Sequence, residues 1–263
     1  MIVDFAKYHG AGNDFIIIDN RTINLNLNKE QIARLCHRRF GIGADGLMLL
    51  HTSPHFDFKM SYYNSDGAEG SMCGNGGRCI TAFANEIEII GDIALFEAVD
   101  GLHTASINKK EQSTWDISLA MNNLSDIQTI GNSFYLNTGS PHHIDFCKNI
   151  DSLDVFKLGK SIRNSAQYQA IGGTNVNFVQ IEKDFLKIRT YERGVEDETL
   201  ACGTGATAAA IAYAHHYKIY NREIKVNARG GELRISFDYQ NGEYKKILLS
   251  GAAQLVFKGK IDI

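Results

Sequence analysis

The feature that most constrains the fold is the run Ala206-Thr207-Ala208-Ala209-Ala210-Ile211-Ala212-Tyr213-Ala214, a helix-forming stretch with no charge on any face. A helix without a polar side has to be enclosed by other elements. Cys79-Ile80-Thr81-Ala82-Phe83-Ala84 is a second run of this kind. Each is entered through a cysteine-glycine turn, Cys73-Gly74-Asn75-Gly76 before the first and Cys202-Gly203-Thr204-Gly205 before the second. Short strand-like runs separated by turn residues surround both. The chain therefore reads as α+β: two similar domains, each a mixed, mostly antiparallel sheet curled around a central helix.

Taken in order, Ile2 to Tyr8 and Phe15 to Asp19 read as strands about the turn His9-Gly10-Ala11-Gly12-Asn13. Asn28 caps a helix over Lys29 to Arg39, with Gln31 completing a capping box. Strands follow at Leu47 to His51, Asp57 to Tyr63, Ile93 to Glu97, Leu102 to Ile107 and Trp115 to Leu119, with Asn108 to Ser113 as a charged hairpin loop. The second half offers strands at Ser133 to Asn137 and from the Pro141 turn through Phe146, a helix over Asp151 to Arg163, and strands at Asn175 to Ile181 and Phe185 to Tyr191. After the second cysteine helix, ending near Tyr217, come Glu223 to Val226, Leu233 to Tyr239, Tyr244 to Leu249 and Gln254 to Phe257, with Asn241-Gly242 as a hairpin turn.

The halves repeat one another. Cys73 lies 60 positions after Asn13 in a Gly-Asn turn, and Cys202 lies 62 after Ser140 in a Gly-Ser turn. Asn64 and Arg193 each precede their cysteine by nine. This places an N-terminal domain at 1–118 and a second domain from 119 onward.

The net charge of −3, with no basic stripe, argues against a nucleic-acid partner. The N-terminal stretch lacks a signal peptide's apolar core, and the longest uncharged helical stretch is too short to span a bilayer, so a cytoplasmic protein without a membrane partner is expected. Five cysteines, an odd number, fit free thiols. Cys36, Cys79 and Cys147 sit on apolar patterns and read as core. Gly41-Ile42-Gly43-Ala44-Asp45-Gly46 matches a dinucleotide fingerprint in letters only; a helix precedes it and a strand follows, so it reads as a turn. His215 and His216 point to different faces of one helix, and the ligand spacing of a zinc site is absent.

A cysteine just before a helix N-terminus meets unpaired amides and a helix dipole that favour a thiolate and can hold an anion. With the two halves facing each other, amides of Gly74, Asn75, Gly203 and Thr204 would grip a small carboxylate between two thiols. One thiolate would remove the α-proton while the opposite thiol returns one on the other face, inverting the carbon without metal or cofactor. Asn13, Asn64 and Asn175 are polar tips at turns or strand ends, each equally able to satisfy its own backbone. Glu192 and Arg193 offer an acceptor and a bidentate carboxylate clamp, which implies a substrate with a second charged end. His142 reads as either a core histidine or a thiol neighbour.

At these residues the chain resembles the diaminopimelate epimerases. The matching runs are His9 through Phe15, Asn64 through Cys79, Asn175 through Phe178, Tyr191 through Gly194, and Ala201 through Gly205. The resemblance implies the family's two-domain fold, with a C-terminal strand at about 252–263 returning to the domain of 1–118 and leaving 119–251 as the second, and cofactor-independent interconversion of LL- and meso-diaminopimelate, in lysine and peptidoglycan-precursor synthesis, usually by a homodimer. It implies Cys73 and Cys202 as the acid/base pair, Asn13, Asn64, Asn175, Glu192 and Arg193 at the substrate, Gly74-Asn75 and Gly203-Thr204 as the carboxylate cradle, and His142 with Glu192 near the thiols. The chain departs from the family at Gly46, where many members carry Gln, and at Ser140, where they carry Asn; both are substrate-contacting positions there. Two other functions remain open: a proline or hydroxyproline racemase-type isomerase, which needs no second carboxylate, and a non-enzymatic dithiol switch.

Overall fold

A computed structural model describes residues 1–70 and 72–263. The chain forms two compact units, Met1–Leu119 with Gly251–Ile263, and Ala120–Ser250. The first contains β1 (Ile2–Gly10), β2 (Asn13–Asp19), α1 (Lys29–Cys36), β3 (Gly46–His51), β4 (Phe58–Asn64), α2 (Gly74–Glu86), β5 (Ile93–Ala98), β6 (Gly101–Glu111) and β7 (Thr114–Ala120). The second contains β8 (Ile127–Ile130), β9 (Ser133–Asn137), β10 (Pro141–Phe146), α3 (Val155–Arg163), α4 (Ala166–Gln169), β11 (Asn175–Ile181), β12 (Leu186–Glu192), β13 (Asp197–Thr199), α5 (Gly203–Tyr217), β14 (Ile224–Ala228) and β15 (Gly231–Gln240). The final strand, β16 (Glu243–Asp262), begins in the second unit and ends in the first.

The units share one pairing pattern. In the first, β1–β2, β3–β4 and β5–β6 are antiparallel, while β2–β3 and β4–β5 are parallel. In the second, β9–β10, β11–β12 and β14–β15 are antiparallel, while β10–β11 and β12–β14 are parallel. A parallel pair needs a crossover connection, and helices occur in each one: α1 and α2 in the first unit, α3 with α4 and then α5 in the second. The C-terminal half of β16 pairs with both β1 and β7, which closes the first sheet on itself and leaves it no free edge.

The enclosed helices lie where the sequence demands. α2 packs on β1, β2, β3 and β6, and every residue from Gly74 to Ala84 is buried. α5 packs on β9 to β12, β14 and β15, with Ala206 to Ala212 and Ala214 buried. Asn28 and Gln31 form the expected capping box on α1, and Asn241 and Gly242 turn the β15–β16 hairpin at φ 54° and 83°.

Several boundaries differ from expectation. α1 stops at Cys36, not Arg39, because His37 turns extended and its Nδ1 accepts the amides of Arg39 and Phe40. α3 starts at Val155, not Asp151, because Asp154 caps it by accepting the Lys157 amide. The loop expected over Asn108 to Ser113 is mostly strand: β6 runs through Glu111 past a bulge after Ile107, and Gln112 at φ 49° makes the turn. The two strands expected at 244–249 and 254–257 are the single strand β16; Ser250 to Ala253 is small but carries no turn residue of positive φ. β8, α4 and β13 are short elements that no sequence pattern announced. Cys36 and Cys79 are core, whereas Cys147 is only half-buried.

Candidate active site

Each cysteine turn is an irregular helix start. Cys73 is the N-cap of α2 and Cys202 the N-cap of α5, both with extended backbone, and neither helix receives a side-chain cap. Serine or aspartate at such a position folds back onto the helix amides; neither cysteine side chain makes that capping bond.

In the first unit, Cys73 Sγ lies 3.6 Å from Asn13 Oδ1. The orientation of that amide is determined from behind. Asn13 Nδ2 donates to Asp45 Oδ2 at 2.8 Å, so the oxygen faces the sulfur and accepts from Asn75 Nδ2 at 3.3 Å. Asp45 is held in turn by Arg38, which bridges it to Asp14. Lys7, almost fully buried, pairs with the same Asp14 and donates to Gly43 O. Burial pushes the Asp14 carboxyl up, but hydrogen bonds and charge from Arg38 and Lys7 more than reverse this and hold it well below the usual carboxylate range. Asn64, exposed at the end of β4, accepts the Tyr62 hydroxyl at 3.1 Å. Gly46 is why Tyr62 fits: a Cβ there would meet the Tyr62 ring at 2.5 Å. Gly70 clears the ring from another direction, its Cβ position being 2.6 Å away.

In the second unit, Cys202 Sγ lies 3.4 Å from Thr204 Oγ1. Thr204 Oγ1 is 2.9 Å from His142 Nε2 and 3.2 Å from Ser140 Oγ. The imidazole is fully buried, and its tautomer follows from its other nitrogen. Asn177 accepts the Thr190 hydroxyl on Oδ1 and donates from Nδ2 to His143 O and to His142 Nδ1 at 3.1 Å. Nδ1 is therefore the acceptor, and Nε2 carries the hydrogen. It faces two hydroxyls, Thr204 Oγ1 at 2.9 Å and Ser140 Oγ at 3.0 Å, and the Thr204 hydroxyl is free to turn its hydrogen to the sulfur or to Ser140. Burial, with the charge of Arg193, pulls the His142 pKa down to about 3, so the ring stays neutral.

Asn175 uses its whole amide locally: Nδ2 donates to Pro141 O at 2.9 Å and to Ser140 Oγ at 3.3 Å, and Oδ1 accepts the Arg193 amide at 2.9 Å. It thereby ties the start of β10 to the exit of β12. Arg193 has only two long side-chain contacts, to Ile171 O at 3.5 Å and Gly173 O at 3.4 Å, and forms no ion pair among the described residues. Glu192 ends β12 opposite Asp197 of β13. No cluster of metal-ligating side chains occurs among the described residues.

Within the first unit the structure brings Cys73, Gly74 and Asn75 together with Asn13. Within the second it groups Cys202, Gly203, Thr204 and His142, and Asn175 with Arg193. Sequence reasoning missed Asp45, Tyr62 and Asn177. Asn177 had a signal, since it shares a strand face with Asn175 two positions away; Asp45 had none beyond the adjacent Gly46, and Tyr62 none beyond Asn64 two positions on.

The sequence profile of the diaminopimelate epimerases matches residues 5–121 and 134–256. A diaminopimelate epimerase of Flavobacterium psychrophilum is 50% identical, the match covering 97% of this chain and 98% of that protein. Another from Chlorobaculum tepidum is 44% identical over 97% and 99%. Among solved structures, a Bacillus anthracis phenazine biosynthesis protein of the PhzF family superposes with a TM-score of 0.78 at 15% identity, covering 100% of both chains. A probable proline racemase from Agrobacterium radiobacter gives 0.67 at 15% identity, covering 99% and 92%. At such identities these two likenesses speak for the fold alone. Among the described residues no helix is long and apolar enough to cross a membrane.

Proposed function

The chain belongs to the diaminopimelate epimerase family, and we propose that it interconverts LL- and meso-2,6-diaminopimelate by passing the α-proton between two thiols. It is thus an isomerase, an amino-acid epimerase. Cys202 and Cys73 are the acid/base pair. One sulfur, as thiolate, takes the α-proton while the other, as thiol, gives its proton to the opposite face; the second epimer reverses the roles. The electron pair left at the α-carbon is high in energy, and the first-turn amides at Gly74, Asn75, Gly203 and Thr204 stabilise the charge that it places on the adjoining carboxylate. Asn13, Asn64, Glu192 and Arg193 hold the remaining polar groups, Arg193 being the cation for the distal carboxylate, and Asn175 serves the substrate by fixing the Arg193 backbone.

The observation that carries this reading is the opposite polarity of the two sulfur environments. Asn13 Oδ1, an acceptor, faces Cys73, which suits a thiol. Cys202 instead faces the Thr204 hydroxyl, which is backed by the His142 N–H and able to donate, and this suits a thiolate. In this reading Cys202 is the base for one epimer in the resting enzyme. The reaction needs no cofactor or metal, and we place it in lysine and peptidoglycan-precursor synthesis, in a cytoplasmic homodimer.

The test is a substrate panel without added cofactor. LL-diaminopimelate should give the meso isomer, and L-proline and trans-4-hydroxy-L-proline should remain unchanged. Turnover of either imino acid with none of diaminopimelate would reject the assignment in favour of a proline racemase-type enzyme.

A further inference from the structure

We propose that Arg78 is a positioning residue for Cys73: its guanidinium is the counter-charge for the thiolate left when that cysteine gives up its proton, and it orients, through Asn75, the amide that faces the sulfur. The proposal rests on the two-thiol reading above.

Arg78 lies in the second turn of α2 with none of its surface exposed. It forms no ion pair with a carboxylate among the described residues. Nη1 donates to Gly74 O at 3.1 Å, Nη2 donates to Asn75 Oδ1 at 2.8 Å, and Nε has no partner. From Asn75 the chain continues through Nδ2 to Asn13 Oδ1, the atom 3.6 Å from Cys73 Sγ. β1 is cut back to admit the group: a Cβ on Gly10 would lie 3.3 Å from Arg78 Nη2. Burial draws the guanidinium down, and the acid groups acting against this are Cys79 and Cys73, followed by Asp116 of β7. Asp14 reaches the same cluster through Cys79, and Asp45 stands behind Asn13.

An isolated buried charge is expensive, and a neutral amide could make both hydrogen bonds at lower cost. The charge itself is the feature that needs a use. While Cys73 holds its proton, the S–H can donate to Asn13 Oδ1. Once the proton has left, that oxygen confronts a negative sulfur, which is unfavourable. The N-terminal amides of α2 and the Arg78 charge offset this, so that Cys73 can serve as acid in one direction and as base in the other.

The experiment reads iodoacetamide alkylation of Cys73 against pH, located by peptide mass spectrometry, in full-length protein. A Cys202→Ala background removes coupling to the second thiol. Without substitution at Arg78, the Cys73 midpoint should lie below about 8.5, the value of a free cysteine. Arg78→Gln should raise it by about one pH unit or more, with buried Cys79 still unreactive, and Arg78→Lys should keep most of the original midpoint. An unchanged midpoint in folded Arg78→Gln overturns the proposal, as does a shift matched by Cys79 alkylation in both variants. If Arg78→Gln does not fold, the other two proteins decide: a starting midpoint at or above that of free cysteine, or a full-unit rise in Arg78→Lys, overturns it. Failure of the epimerase reading would appear separately, as absence of turnover in the unsubstituted enzyme.

Discussion

His142 is a histidine whose sequence context fits a core residue and a thiol neighbour equally well; the structure buries it and sets Thr204 between its ring and the Cys202 sulfur. It is fully buried, and its ring is placed by Asn177 on one side and Thr204 on the other. Its ionisation has a measurable consequence. Between pH 6.5 and about 3 the unfolded chain binds a proton that the folded ring refuses. The unfolded state then holds more protons, so stability falls as pH drops through that window and is fully present above it. Urea midpoints should fall between pH 6.5 and 4, and less steeply in His142→Gln; identical slopes would mean that the ring is protonated in the fold. The tautomer gives a second prediction. Asn177→Asp replaces the donor on Nδ1 by an acceptor, which should move the hydrogen from Nε2 to Nδ1 and lower epimerase activity by roughly 10²-fold. Nitrogen-15 chemical shifts of His142 report the tautomer directly. None of this was legible in sequence, because tautomer and polarity depend on strand neighbours that spacing does not identify.

The elements were more legible, for a physical reason. A helical run with no charge on any face leaves only an enclosed position, so α5, and α2 through its run Cys79 to Ala84, could be assigned a central place; the buried charge of Arg78 in α2 was not foreseen. Capping and hairpin residues act within a few positions of themselves, and Asn28, Gln31, Asn241 and Gly242 did so. Boundaries set by contacts distant in sequence were not visible: β16 runs on through Ala252 and Ala253, which pair with Asp116 and Trp115 of β7. Glycines at the site are similarly a matter of contact. Gly205 lets the start of α5 approach Asn177, whose Oδ1 would be 2.4 Å from a Cβ there. Gly205→Ala should cost about 1–3 kcal/mol and disturb the His142 contact, visible as a lower thermal midpoint with reduced activity. Gly46→Ala should cost a similar amount, about 1–3 kcal/mol, because the new Cβ meets the Tyr62 ring at 2.5 Å and the Tyr63 carbonyl at 2.7 Å; Tyr62→Ala in the same chain should relieve the ring clash but not the backbone one, so the two changes should be non-additive with only partial rescue.

At the scale of the molecule, the duplicated arrangement noticed in the cysteine and asparagine spacings corresponds to a duplicated pairing pattern, helices included. What spacing could not reveal is how the first sheet is finished. Residues 252–262 supply the strand that joins β7 to β1, so deleting them would open two long edges. A chain ending at Gly251 should aggregate or lose cooperative unfolding, whereas a soluble protein with an unchanged thermal midpoint would show that the closure is dispensable. Chemistry at one carbon is the claim that unites both halves of the chain. It is tested by incubating LL-diaminopimelate in heavy water with the enzyme and its single-cysteine variants, following deuterium at the α-carbon and the configuration of the product. The account predicts meso product deuterated at the inverted centre, and no epimerisation by Cys73→Ala or Cys202→Ala; full epimerase activity in either variant would contradict it.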